Sequence, residues 1–253
     1  MFSALKRVWA RSSRWRVGST RSDAIEEWAQ RSGFRFRQSK DGQRFEVEAP
    51  SGGHVLRMEW GPSHRSYIAL SELRMRVDLN LPDGLQMLVM TLSLMERLES
   101  ETFERYTQDA QTVIDMSTPE EMRWLAMFPK ADLSFDKELR SRFGALGVNP
   151  AWALAWINDP LGPQLVRAAR DMIGPDVPFV LMTLRGRIYM RMQLVDPRPE
   201  ALSQCLEVFD AAIQSVQHIT GDVAPDDAEW ASTASTSWQT QLPDDEATGS
   251  TRF

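Results

Sequence analysis

Between Phe34 and Leu79 apolar and polar residues alternate with a period of two, in runs broken by turn-forming residues. "FRFRQS" and "QRFEVEAP" flank "KDG", a hairpin signal; "HVLRMEW" follows "SGG", and "YIALSELRMRVDLNLP" follows "GPSHRS". Successive side chains of a pleated strand point to opposite faces. Phe34, Phe36, Phe45, Val47, Leu56, Met58, Trp60, Leu73, Met75, Val77 and Leu79 are therefore predicted to face a core. The last run changes phase near Ser71–Leu73, which predicts a bulge. The alternation returns late in the chain as "PFVLMTLRGRIYMRMQL", with Gly186 at a bend or tight contact. Two stretches in these runs are near copies: "LRMRVDLN" (Leu73–Asn80) and "LRGRIYMR" (Leu184–Arg191) each carry a pair of arginines two residues apart.

Elsewhere the period is helical. "SDAIEEWAQRSG" reads as a short helix capped by Ser22 and stopped by Gly33. From Asp83 to about Val113 the pattern is helical and nearly apolar all round in its first half, as for a helix crossing the sheet and covered on its far side too. "STPEEMRWLAMF" starts another helix, with Ser117 or Thr118 as cap and Pro119 in the first position. Short helices are predicted around "DKELRSRFGALG" and "PAWALAWIN", and a longer one at "GPQLVRAARDMIG". A final helix from Pro199 to about Gln217 places Leu202, Cys205, Leu206, Phe209, Ile213 and Val216 on one stripe. The predicted fold is α+β: an antiparallel sheet of about six strands built from two related β-β-α units, with helices packed on one face. A helical insertion occupies about residues 115–172 of a single domain, residues 22–220.

If the apolar parity faces the helices, the other parity forms an exposed face. It collects Arg35, Arg37, Arg44, Arg57, Arg74, Arg76, Arg185, Arg187 and Arg191, with Glu46, Glu48, Glu59 and Asp78 among them. Guanidinium forks suit carboxylates and phosphates, so Arg35, Arg37, Arg74, Arg76, Arg185, Arg187 and Arg191 are the candidate partner- or anion-binding residues. The plainer reading is that an exposed sheet face must be polar and that Arg–Glu pairs across strands stabilise it modestly. A third is self-contact with the acidic C-terminal segment. Only Tyr189 joins the arginines as a stacking aromatic, whereas sheet-type RNA readers need several, so nucleic acid is disfavoured.

Charge sharpens this picture. The 253-residue chain carries a net −6, yet residues 1–22 hold six basic side chains and no acid, and residues 221–253 hold seven acids against Arg252. Such asymmetry marks interaction segments more often than core. The head, residues 1–21, is amphipathic over "MFSALKRVWARSSRWR". Three readings of it stand: peripheral membrane contact through residues 1–16, a transit peptide, or an inert end. The acidic tail, residues 221–253, is rich in Ser, Thr, Asp and Ala and is expected to be disordered. No run approaches the roughly 18–20 apolar residues of a membrane span. The single cysteine, Cys205, allows no internal disulfide, which favours the cytoplasm.

A search for catalytic chemistry nominates nothing. His54, His64 and His218 are scattered, no Cys–His cluster has metal spacing, and no Gly-rich loop of the phosphate-binding kind precedes a helix. Acid pairs such as Glu120–Glu121 lie where helix starts use them. No catalytic, metal or cofactor site is predicted, and the expectation is a protein that is not an enzyme.

"AIEEWAQRSGFRFRQSKDGQRFEVEA" and "VLMTLRGRIYMRMQLVDPRPEALSQCLEVFDAAIQ", about a quarter of the chain, carry an element order that resembles the type III secretion chaperone-like fold of bacteria. The resemblance implies non-enzymatic binding of an unstructured partner segment, often by a dimer. It transfers no site residue, and this chain departs from the family in its helical insertion and charged extensions. The functional expectation is a non-catalytic protein-interaction module, adaptor or chaperone-like, with anion or nucleic-acid binding on the arginine face as the alternative.

Overall fold

A computed structural model describes residues 22–108 and 118–222. The basic head, the acidic tail beyond residue 222 and the Ser117 cap lie outside the described residues. Helix α1 covers residues 22–31. Strands β1 (Arg35–Gln38), β2 (Phe45–Ser51), β3 (His54–Pro62) and β4 (Ser71–Asp78) form a meander. Strand β5 (Met87–Thr91) runs straight into α2 (Leu92–Gln108), followed by α3 (Glu120–Met127), α4 (Lys137–Arg142), β6 (Phe143–Gly147), α5 (Pro150–Ile157) and α6 (Leu161–Asp171). The hairpin β7 (Phe179–Leu184) and β8 (Arg187–Gln193) precedes the long α7 (Pro199–Asp222). All strands join one antiparallel sheet in the order β1-β2-β3-β4-β8-β7-β5-β6.

The α+β class and the antiparallel sheet are as expected, but among the described residues the sheet has eight strands, not about six. The two additional strands are β5 and β6. All five residues of β5 are buried, because β5 lies between β7 and β6 with helices on both of its faces. A strand covered on both faces loses its alternation and reads like a buried helix. The segment predicted as one helix from Asp83 is therefore a strand, with α2 starting only at Leu92. Likewise "DKELRSRFGALG" divides. Asp136 caps α4 by accepting from the backbone N–H groups of Glu138 (2.8 Å) and Leu139 (3.0 Å), and "FGALG" then extends as the edge strand β6. The middle block is not a purely helical insertion, since it contributes a strand to the sheet.

The near-copied ladders lie side by side, β4 against β8, yet they are not equivalent elements. "LRMRVDLN" runs along β4 and just past it, whereas "LRGRIYMR" straddles the β7–β8 turn. Arg185 and Gly186 have φ of 50° and 77°, the double positive φ of a two-residue type I′ hairpin. The Gly186 carbonyl accepts from Leu79 N and Leu81 N at 3.0 and 3.2 Å, which fastens this turn to the end of β4. The first half also lacks a simple β-β-α unit, because β5 intervenes before α2. Nor is there a bulge at Ser71–Leu73: β4 pairs residue for residue with β3 and β8. The phase change marks only the loop ahead of the strand, where Leu70 has a φ of 63°.

The predicted inward parity holds. Phe45, Val47, Leu56, Met58, Leu73, Met75 and Val77 are buried, with Phe34, Phe36, Trp60 and Leu79 packed on them. Over them lie α1 (Ile25, Trp28, Ala29), α5 (Trp156, Ile157), α6 (Leu161, Leu165) and α7, whose predicted stripe of Leu202, Cys205, Phe209, Ile213 and Val216 is buried. The Trp156 indole donates to Ala212 O at 3.0 Å and that of Trp28 to Ser203 Oγ at 3.0 Å, tying α5 and α1 to α7. Helices are not confined to this face. Leu94, Met95 and Leu98 of α2 and Met122 and Trp124 of α3 form a second core on the opposite face, against Leu88, Met90, Leu146, Val180 and Met182. The prediction of helices on one face fails because β5, β6 and β7 are apolar in both parities.

Candidate functional site

The face carrying the second core continues, uncovered by those helices, across β8, β4, β3, β2 and β1. Directly paired residues of an antiparallel sheet share a face, so the register defines rows of neighbours. One row reads Arg35, Glu48, Arg57, Arg76, Tyr189, Met182, Leu88, Leu146 from β1 to β6. The adjacent row reads Arg37, Glu46, Glu59, Arg74, Arg191, Val180, Met90, Gly144. Both change from ionic to apolar at the β8–β7 boundary. Gly61 keeps one position open: a Cβ there would come within 2.8 Å of Arg44 Cγ, which lies across it.

Of the seven candidate arginines, Arg35, Arg37, Arg74, Arg76, Arg187 and Arg191 stand on this face. Arg185 does not: it sits in the β7–β8 turn and reaches Glu120 at the start of α3, at 3.7 Å. Arg35, Arg74, Arg76, Arg187 and Arg191, together with Arg57, form an ionic lattice. Glu48 lies 3.3 Å from both Arg35 and Arg57, and Glu59 lies 3.4 Å from Arg74 and 3.6 Å from Arg76. Asp78 accepts from Arg187 Nε at 2.9 Å, and its carboxyl is held below its ordinary pKa by that bond and by the Asn80 N–H.

Parity reasoning left out Glu72, which sits in the changing-phase run and turns out to anchor this face. Its side chain is fully buried, accepts from Arg191 Nη1 at 2.6 Å and from His64 N at 2.9 Å, and lies 3.8 Å from Arg74 Nη1. A buried carboxylate needs such partners, since an unpaired one is costly. Only half of the signal is in the sequence: Glu72 shares the outward parity of Arg74 and Arg76, but its partner Arg191 lies 119 positions away on β8. Arg74 is not fully satisfied in return. Its Nε and Nη1 are buried and have no hydrogen-bond acceptor among the described residues.

A strap bounds the face beside the second core. Residues between β3 and β4 place Tyr67 and Ile68 in that core. Glu121, buried in the first turn of α3, accepts from Arg65 Nε at 2.7 Å and from the Tyr67 hydroxyl. Burial, and then the neighbouring Glu121 carboxylate, push the Tyr67 hydroxyl above its ordinary pKa. Arg97 of α2 donates to Tyr67 O at 3.0 Å. The strap is thus fixed to both helices by groups 30 to 56 residues apart in sequence, which no local pattern reveals.

Two neighbouring grooves cut the arginine face and share Arg57 and Arg76 in their linings. The larger, about 440 Å³, is lined by His54, Val55, Arg57, Arg76, Asp78, Asn80 and Arg187. The smaller, about 210 Å³, is lined by Arg57, Glu59, His64, Arg74, Tyr189 and Arg191 among others. His54, on the inward parity of β3, lies at the strand's end, where it reaches the larger groove. Burial, then the Arg74 charge, lowers the pKa of His64, so near neutral pH it adds no cation to the smaller groove. His218 lies away from both, on the exposed side of α7.

Among the described residues no group of three or more His, Cys, Asp or Glu could hold a metal ion, and no helix is long and apolar enough to cross a membrane. No family model, no curated protein and no solved structure matches the chain.

Proposed function

We propose that this protein is a non-catalytic interaction module, of adaptor or chaperone-like kind, that receives an acidic segment of a protein partner on its arginine face. The observation that carries the reading is the gathering of Arg57, Arg74, Arg76, Arg187 and Arg191 around two grooves on one face, with Arg57, Arg76 and Arg187 about half exposed. Guanidinium forks concentrated in this way suit the carboxylates of a bound chain. Eight arginines against five carboxylates, with Arg185 left out and Glu72 counted, bias the surface towards anions on a chain whose net charge is −6. An extended acidic chain suits two neighbouring grooves, and such recognition accords with the resemblance to secretion chaperones. Nucleic acid is a poorer match. Tyr189, which is the aromatic ring in the smaller groove, packs against the second core.

The test is retention of acidic polypeptides by the immobilised full chain, followed by binding measurements with each purified candidate. Affinity is expected to fall as salt rises, and to drop at least tenfold when Arg57, Arg76 and Arg187 become glutamine. Arg74 and Arg191 are left intact, because they neutralise Glu72. Unaltered binding by the triple variant overturns the reading.

A further inference from the structure

Arginines stand opposite each other twice on this face. Arg74 faces Arg191 across β4 and β8, and Arg57 faces Arg76 across β3 and β4. Opposed like charges destabilise a sheet when nothing lies between them. The first pair has its counter-ion built in, since the buried Glu72 carboxylate bonds Arg191 and lies 3.8 Å from Arg74. The second pair has no equivalent. Its carboxylates stand to the sides, and each is shared with a further arginine: Glu48 with Arg35, Glu59 with Arg74. Arg57 and Arg76 open instead into the 440 Å³ groove, where Arg187 joins them. Their side chains are 47%, 46% and 47% exposed, so their donors are within reach of a ligand.

We infer that this groove is a phosphomonoester subsite and that its ligand is a phosphorylated serine or threonine within the acidic partner segment, an inference that rests on the function proposed above. A phosphoryl group carries about −1.5 to −2 charge near pH 7 and three strong acceptor oxygens. The lining offers three guanidiniums against one carboxylate, Asp78, which leaves an excess of two positive charges. A carboxylate is satisfied by one guanidinium fork, whereas a dianion with three oxygens engages two or three of them. In that position it does for Arg57 and Arg76 what Glu72 does for Arg74 and Arg191. The groove neighbours the smaller one, with Arg57 and Arg76 between them, so residues flanking the phosphate would lie over Arg74 and Arg191. That adjacency suits a polypeptide better than a free ion.

Calorimetry on the full chain tests this with three probes: an acidic decapeptide of glutamates around one serine, the same peptide with phosphoserine, and inorganic phosphate. The phosphopeptide is expected to bind at least tenfold more tightly than its unphosphorylated twin. In Arg57→Gln/Arg76→Gln that advantage is expected to vanish while the melting temperature holds or rises, because the opposed charges are gone. Equal affinity of the two peptides overturns the phosphate subsite and leaves the acidic-segment reading standing. Binding of neither peptide overturns both. An advantage that survives in the double variant places the phosphate elsewhere, and inorganic phosphate binding as tightly as the phosphopeptide reduces the site to one for a free anion; either result overturns the inference.

Discussion

On one face of one sheet, β1–β4 and β8 present a lattice of arginines and carboxylates, while β7, β5 and β6 present Val180, Met182, Leu88, Met90 and Leu146 to two helices. The backbone is the same antiparallel ladder throughout, and the rows of paired residues pass from one half to the other without interruption. What differs is the side chain at each position, and that alone decides whether a helix settles there. An apolar row gains by being roofed, since buried apolar area stabilises at about 25 cal/mol per Å². A row of guanidiniums would lose hydration under the same roof. Among the described residues no helix roofs this half, for that physical reason, and a cover for it would have to bring negative charge.

The contrast is tested most severely inside the roofed half. Leu88→Ala removes a fully buried side chain from a strand with neighbours on both sides, and a loss of about 4 kcal/mol in urea unfolding is expected; a loss below about 1 kcal/mol would mean that the second core is loosely packed. At the boundary, Glu121→Ala leaves the Tyr67 hydroxyl and the half-buried Arg65 without their acceptor. About 3 kcal/mol should be lost, the low end for a broken buried pair because Arg65 keeps some water. Intact stability there would detach the strap from α3. In the turn that closes β7 and β8, Gly186→Ala forces a Cβ into a left-handed conformation, and about 1 kcal/mol of destabilisation is expected. On the bare half, Arg76→Gln is expected to change stability by no more than about 0.5 kcal/mol, as exposed ionic side chains do; a larger loss would show that the lattice, and not only the cores, holds these strands together.

A chemical probe examines the covered side of the same strands. Burial pushes the Cys205 thiol up to about 12, against an ordinary value of 9.0. A raised pKa favours the neutral form in the folded state, so at pH 8 the reactive thiolate is about a thousandfold scarcer than in the unfolded chain. Alkylation by iodoacetamide, followed by mass spectrometry, should be slower by at least that factor until denaturant is added. A native rate equal to the unfolded one would mean that α7 does not cover β8 as described.

The same contrast explains what could be read from residues in order. Alternation works where one face is wet, so the inward side chains of β2, β3 and β4 and the outward arginines other than Arg185 follow from it. It fails for Met87–Thr91, where both faces are dry and a strand carries no period-two signature. It also misplaced Arg185, because an "LRGR" that bends at Gly186 looks the same as one that runs straight. In the site, the arginines were legible and the groups that give them meaning were not. Glu72 is recognisable as a buried counter-ion only when β8 is known to lie beside β4, which brings Arg191 to a residue 119 positions away. The Tyr67–Glu121–Arg65 cluster likewise depends on a fold-back that no local spacing encodes.

The unequal treatment of the two opposed arginine pairs gives the surface a direction. An approaching anion that seeks Arg191 must compete with a carboxylate already seated beneath it and held in place by the His64 amide. One that arrives between Arg57 and Arg76 meets only Glu48 and Glu59, which stand to the sides and are each shared with a further arginine. A negatively charged strand would consequently dock first at the end nearest the β7–β8 turn and only afterwards lie down toward the strap, so its orientation is fixed by where the sheet has kept a counter-ion of its own.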